Sequence, residues 1–229
     1  MRIRHIKGAE ETIACHPLCV QNPENYKGRW RQEIFSNDAP LYIEIGTGMG
    51  TFIRESAIKN PGINYVGLEM NSTVLLKAIN RYEKAVRESL GISAESAAPV
   101  IRNLRFIRCD ARLIEDYFEK GEVDRIYLNF SDPWPKDKNA NKRLTSKPFL
   151  ERYENILTPG GQIEFKTDNA GLFEFSVQTA GDCGWNFSVL TRDLHNDAEL
   201  MKDNIMTEYE AKFSAKGNLI NKFIINKEP

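Results

Sequence analysis

The sequence predicts a doubly wound α/β fold, built on a mostly parallel seven-stranded sheet with an antiparallel edge. Three observations carry that expectation. Short apolar runs alternate five times with longer amphipathic ones, the pattern of parallel strands and their crossover helices. A glycine turn, GTGMG at 46–50, follows the first apolar run and opens onto a helix, where such sheets bind ligands. The last two apolar runs, 186–191 and 219–225, have no long helix between them, and parallel strands need such a crossover.

In order, LYIEI (41–45) reads as a buried strand, GTGMG as the turn, and the next helix runs to about Lys59. NPG then turns the chain into the strand INYVGLE (63–69). From Asn71 to about Leu90, Val74, Leu75, Ala78, Ile79, Tyr82 and Val86 recur at helical spacing. GISAESAAP (91–99) is small, polar and ends in proline, so it reads as a loop. LRFIRC (104–109) and VDRIYLNF (123–130) are the third and fourth strands, with a short helix around 112–119 between them. A helix at 145–157 is expected to close at TPGG, followed by the strand GQIEFKT (161–167) and a helix near 170–180. NFSVLT (186–191), a helical turn in TEYEAKFSAKG (207–217) and LINKFII (219–225) complete the chain. No repeat or linker interrupts it, so residues 1–229 read as a single domain, with about 1–35 as an N-terminal extension bearing Arg2, Arg4 and Lys7.

Composition removes several classes. Hydrophobic residues at 41% and charged residues at 28% are those of a globular protein. No apolar run approaches the ~20 residues that cross a bilayer. MRIRHIKGAEE lacks the apolar core of a secretory leader, so a cytoplasmic protein with no membrane partner is expected. Cys15, Cys19, Cys109 and Cys183 are few and irregularly spaced. Cys15-His16-x-x-Cys19 falls short of the four ligands of a structural zinc site, so reduced thiols and no metal are expected. A net charge of −1 still leaves a basic run, Lys136, Lys138, Lys142, Arg143 and Lys147, and local clustering is what nucleic acid senses.

Five acids, Glu44, Glu69, Asp110, Asp132 and Asp168, fall at or just after strand ends, along one rim of the expected sheet. Gly46, Gly48 and Gly50 form G-x-G-x-G, which by itself is equally a tight strand-to-helix turn. Glu69 adds to it: the carboxylate ends the second strand 23 residues after Gly46, where an acid grips the two hydroxyls of a ribose. Glu44 beside the turn suits a sulfonium and an amino group and opposes a pyrophosphate, which favours S-adenosylmethionine over NAD. Asp110 has two readings, acceptor for the adenine amino group or cap of the 112–119 helix.

IEIGTGMG, YVGLE, CDA, VDRIYLNFSDPWPK, GGQIEFKTDN and NIMTEYEAKFSAKG, in that order, resemble the bacterial tRNA (guanine-N7)-methyltransferase family, from about Arg2 to about Phe223. The resemblance implies a Rossmann-like class I methyltransferase fold. It also implies transfer of a methyl group from S-adenosylmethionine to N7 of guanine at position 46, in the tRNA variable loop. It places Glu44, Gly46, Gly48, Glu69, Asp110 and Asp132 around the cofactor, with Asp132 also catalytic. Lys136, Asp168, Thr207, Glu208, Tyr209 and Glu210 are implied to face the tRNA. A monomer or homodimer is expected. Two features depart from the family pattern: Met49 in the glycine turn, and DKNAN at 137–141, less basic than the family's run after P-W-P-K.

N7 of guanine carries an in-plane lone pair, so its methylation releases no proton and calls for no general base. The opposite edge presents N1–H and an amine, both donors, which carboxylates accept. Asp132, stiffened by Pro133 and Pro135, and Glu210 are the candidates for reading that edge. Trp134 reads either as a stacking surface for the base or as a buried anchor of the loop. The Lys136–Arg143 run would hold phosphates, which position without specifying sequence. Asp168 is equally a helix cap, and Thr207 with Glu210 is equally a capping box. Methylation of an exocyclic amine, a dehydrogenase on this fold and a non-catalytic RNA-binding subunit are the alternatives. The first departs at Trp134, where such enzymes carry proline. The second lacks G-x-G-x-x-G, and the third does not explain five retained rim acids.

Overall fold

The structure is a computed structural model that describes residues 5–91 and 102–227. The expected loop at 91–99 lies, apart from Gly91, outside the described residues. The chain forms two compact units, Met1–Tyr117 and Phe118–Pro229.

In the first unit, β1 (Leu41–Ile45), β2 (Asn64–Glu69) and β3 (Leu104–Arg108) pair in parallel with β2 in the middle. The register sets Ile45 beside Leu68 and Glu69 beside Arg108. This brings the carboxyl end of β1, the glycine turn and Glu69 to one rim. Parallel pairing requires crossovers, which α2 (Thr51–Lys59) and α3 (Ser72–Leu90) supply. The Asn71 side chain caps α3 by accepting from the Thr73 and Val74 amides, which fixes where β2 ends and the helix begins. A short 3₁₀ turn, Ala111–Leu113, and α4 (Ile114–Tyr117) follow β3.

Residues 5–35, the described part of the expected N-terminal extension, are folded onto this unit. They form α1 (Ala9–Ala14), a 3₁₀ turn (Pro23–Tyr26) and a π-helical turn (Trp30–Phe35). The Ile6 amide donates to Thr73 Oγ1 at 3.1 Å, and His16 Nε2 meets Glu83 Oε1 at 3.1 Å. Main-chain bonds from Phe106 N to Leu18 O (2.7 Å) and from Val20 N to Phe106 O (2.8 Å) cover the outer edge of β3. Trp30 is fully buried, its indole donating to the Tyr117 carbonyl at 2.8 Å. Elements of four to six residues are too short to show a period, so no pattern announced them.

In the second unit, β4 (Val123–Asn129) pairs in parallel with β5 (Leu157–Thr167). Antiparallel pairs β5–β7 and β7–β6 follow, with β6 at Asn186–Thr191 and β7 at Asn221–Asn226. All seven expected strands are therefore present among the described residues, and the antiparallel edge is β7 and β6. The helices are α5 (Lys147–Ile156), α6 (Ala170–Asp182), α7 (Ala198–Lys202) and α8 (Glu208–Ser214). Phe165, Phe173 and Phe223, each fully buried, cluster with ring centroids 5.1–6.3 Å apart and join β5, α6 and β7.

One expectation is corrected by the second unit. TPGG does not close α5. That helix ends at Ile156, and Thr158-Pro159-Gly160-Gly161 lie within β5, where the pairing jumps from Val123–Leu157 to Arg125–Gln162. Gly160 has a φ of 77°, and a Cβ on Gly161 would sit 2.9 Å from the Thr158 carbonyl; the glycines serve a bulge rather than a helix stop. The stretch after β6, to which the sequence assigns no element, holds a 3₁₀ turn (Leu194–Asn196) and α7, capped by Asp197. No helix among the described residues is long and apolar enough to cross a membrane.

Candidate active site

The glycine turn of the first unit is tied down from beneath. The Gly46 and Thr47 amides both donate to the Leu68 carbonyl, at 2.9 and 3.0 Å. Glu69 then straps the turn to the start of α3: Oε2 accepts from the Gly48 amide at 3.1 Å and Oε1 from the Asn71 amide at 2.9 Å. Gly46 and Gly48 take φ values of 76° and 58°, and a Cβ on Gly46 would meet no atom within 4 Å. Open space therefore lies in front of the turn, and its backbone takes a conformation that side chains resist. Gly50 is different: its Cβ would fall 2.9 Å from the Ala78 Cβ, so it serves close packing against α3. Gly67, inside YVGLE, permits β2 to lie against Phe106 and Thr47, whose atoms would stand 2.8–2.9 Å from its Cβ.

Glu44 is 2% exposed near the end of β1. Thr51 Oγ1, at the first residue of α2, is buried without a hydrogen-bond partner among the described residues. A buried carboxylate, an unsatisfied hydroxyl and an open glycine turn fit a ligand carrying both an ammonium and a carboxylate. Asp110 adopts its capping role: it accepts from the Arg112 amide at 2.9 Å and grips the Arg112 guanidinium through Nε and Nη2. The hydrogen bond from Arg112 is the main reason its carboxyl is held below the usual range, against a smaller upward push from burial.

In the second unit, Asp132 is exposed on the loop that leaves β4. The loop is stiffer than its two prolines require. Phe130 and Trp134 both take positive φ, 52° and 42°, a conformation that bulky side chains adopt only when their surroundings impose it. Arg143 supplies part of the constraint, donating to the Pro133 carbonyl (3.0 Å) and the Trp134 carbonyl (3.1 Å) while lying 4.2 Å from the Phe175 ring. Arg143 thus clamps the loop, whereas the sequence placed it in the phosphate-binding run. Trp134 is neither the buried anchor nor a bare stacking surface: it is half-buried, and Lys142 Nζ lies 4.8 Å from its ring. Lys136 and Lys138 are exposed, on and just before the 3₁₀ turn Asp137–Lys142.

Asp168 does not cap α6. Asn169 does so, accepting from the Leu172 amide, and Asp168 accepts from Asn218 at 2.8 Å. Thr207 caps α8 by accepting from the Glu210 amide at 2.9 Å, but the Glu210 side chain does not return to complete a box. Glu210 is fully buried. Its Oε2 accepts from Lys166 Nζ at 2.7 Å, and its Oε1 meets Asn204 Nδ2 at 2.7 Å and His195 Nε2 at 3.0 Å. Lys166, also fully buried, donates further to Asn204 Oδ1 and the Ile205 carbonyl, both at 3.0 Å. Burial drives the Glu210 carboxyl upward, but Lys166, His195 and Asn204 outweigh it and hold the group below its ordinary value. Sequence reasoning missed Lys166, His195 and Asn204. The available signal was a lysine inside the apolar run IEFKT, where a buried charge demands a partner.

Beside this network, Tyr209 is 43% exposed and stacks on Phe213, with centroids 4.1 Å apart. Its ring also lies 5.0 Å from Phe130 at the root of the Asp132 loop. Glu208 is exposed on the same helix. The unit thus gathers the Asp132 loop, Tyr209 and the buried pair at the carboxyl ends of β4 and β5. Two cavities open elsewhere: one of about 420 Å³ against Cys19 and Arg108, the other of about 640 Å³ against Leu157 and Trp185. Neither is lined by a residue expected in the site. The four thiols are free, and no group of three metal-ligating side chains occurs among the described residues.

A family model described as "Putative methyltransferase" matches residues 38–223. The tRNA (guanine-N(7)-)-methyltransferase of Lachnoclostridium phytofermentans is 46% identical over 228 residues, covering 100% of this chain and 99% of its own. That of Streptococcus uberis is 46% identical, covering 96% and 97%. Among solved structures, an antibiotic-related methyltransferase superposes with a TM-score of 0.60 at 18% identity, over 92% of this chain and 96% of its own. A 16S rRNA methyltransferase gives 0.59 at 15% identity, over 88% and 94%. At those identities the structures speak for the class I methyltransferase fold alone.

Proposed function

The chain belongs to the tRNA (guanine-N(7)-)-methyltransferase family and is an S-adenosylmethionine-dependent methyltransferase acting on tRNA; from that premise we propose that it methylates guanine 46 of the variable loop, in the cytoplasm. The family match at 38–223 runs across both compact units and supports one methyltransferase domain.

On this reading Glu44, Gly46, Gly48, Glu69 and Asp110 hold the cofactor, and Asp132 orients the base. Glu69 would take the ribose hydroxyls, and Glu44 would face the amino end together with the Thr51 hydroxyl. S-Adenosylmethionine supplies an electrophilic methyl carbon, and the protein must present N7 to it in line, within about 3–3.5 Å. Asp132 does this from the far side of the ring, accepting from N1–H or the exocyclic amine. Adenine offers no N1–H, which gives the loop its selectivity. Lys136, Asp168 and the Thr207, Glu208, Tyr209 and Glu210 turn form the substrate side. The observation that most supports the reading is the presentation of Asp132: an exposed carboxylate on a loop fixed by two prolines, two positive φ angles and the Arg143 clamp.

Purified protein, labelled S-adenosylmethionine and an unmodified tRNA transcript should yield 7-methylguanosine on nucleoside analysis. An N²-methylguanosine or a methyladenosine product would overturn the proposal in favour of exocyclic amine chemistry. Phosphate contacts by the exposed lysines have their own signature. Lys138→Ala with Lys142→Ala should flatten the dependence of log affinity on log salt by two phosphate equivalents, each scaled by ~0.7–0.9. The cofactor affinity should stay as it is; an unaltered salt slope would reduce this turn to a solvated surface.

A further inference from the structure

The acid that ends TEYE has no free edge to offer a base. Each oxygen of Glu210 is taken, by Lys166 on one side and by His195 and Asn204 on the other, and the side chain is fully buried. Reading guanine would require it to leave these partners and strand the Lys166 ammonium away from water. What the network joins is more informative than what it stabilises. Helix α8 has seven residues, too few to hold a position by its own hydrogen bonding. Its placement therefore depends on outside ties, and Glu210 is bonded to β5 through Lys166, to the Leu194–Asn196 turn through His195, and to Asn204 ahead of the helix. Lys166 acts twice: its ammonium holds α8, while its carbonyl accepts from the Phe130 amide at 2.9 Å, where the Asp132 loop departs. The Phe130 ring then meets Tyr209 on the exposed face of α8. One buried lysine thus sets both the base-reading loop and the helix beside it.

We propose that Glu210 is a positioning residue rather than a base reader, and that Lys166, His195 and Asn204 share its role of fixing α8 so that Glu208 and Tyr209 meet the tRNA. The proposal rests on the tRNA-methylating reading and refines the part played by one residue in it.

The test compares tRNA transcripts carrying guanine or inosine at the target position, since inosine lacks the amine and keeps N1–H and N7. Glu210→Gln should raise KM for tRNA by about tenfold or more. The guanine-to-inosine ratio of kcat/KM should stay within twofold of wild type, because the helix moves and the reading carboxylate does not. Asp132→Asn, by contrast, should change the ratio itself. Lys166→Gln should behave as Glu210→Gln does. The double variant, in which two amides bond each other without charge, should recover at least half of the loss on a logarithmic scale. His195→Ala preserves the buried pair and hence the fold, so it covers the case in which Glu210→Gln does not fold. It should raise KM for tRNA at least threefold, with S-adenosylmethionine affinity and the base ratio unchanged. A guanine-to-inosine ratio that collapses toward one in Glu210→Gln makes Glu210 a base reader and overturns the proposal. So does a double variant no better than the worse single, or an unaltered KM in His195→Ala. Failure of the underlying reading is separate: the wild-type protein would then give no 7-methylguanosine.

Discussion

Replacement of Asp132 by alanine is expected to lower the single-turnover rate of methyl transfer by about 100-fold or more, the scale of losing one positioning contact at a reacting centre, while S-adenosylmethionine still binds. The carboxylate stands exposed on a loop held from several sides, so its removal leaves the scaffold intact and the guanine ring unguided. Asp132→Asn should recover little, since an amide presents one acceptor and one donor where N1–H and the amine both donate. The chemistry distinguishes orientation from base catalysis. Methylation at N7 leaves every proton of guanine in place, so the transfer step moves none, and a solvent deuterium isotope effect on single-turnover transfer should be close to one. A large normal effect that disappears in Asp132→Ala would make Asp132 a general base and sink the orienting role.

Much of this fold could be read directly, because its strands are short apolar runs set apart by glycines and prolines, and its longer helices span several turns. The limits of α2, α3 and α6 fall within two residues of expectation at their ends for that reason. Illegible parts had one of two causes. Elements of four to six residues, such as α1 and α7, carry no measurable period, and Trp30 gives no hint in sequence that its indole will close onto Tyr117. The other cause is that breakers act differently by context: Gly160 and Gly161 look like a helix stop but lie in a bulge within β5. Site residues divide along the same line. Glycines, strand-end acids and the proline-flanked Asp132 announce themselves by position along the chain. Partners distant in sequence do not, and Glu210 lies 44 residues from Lys166 and 15 from His195. An acid in T-x-x-E reads as a cap or a contact until its buried partner is known.

That buried partner carries the largest expected stability effect. Lys166→Met should destabilise the chain by about 3–5 kcal/mol at neutral pH, the cost of breaking a buried ion pair from one side, because Glu210 is left as an uncompensated charge in a fully buried position. The pH dependence gives the sign. In the wild-type protein the Glu210 carboxyl titrates below its ordinary value, so its contribution is fully present above the unfolded value of about 4.3. It is lost as pH falls through the folded one. Without the lysine, burial dominates and the folded carboxyl moves above about 4.3; the variant is then penalised most where Glu210 must remain charged. The gap between the two proteins should therefore be widest near neutrality and shrink toward acid, where a protonated Glu210 is merely polar. Urea unfolding of both full-length chains at neutral and at acid pH reads this directly. A cost below about 1 kcal/mol at neutral pH, the scale of an exposed pair, or a gap that does not change with pH, would show that the Lys166–Glu210 contact carries no buried charge to compensate.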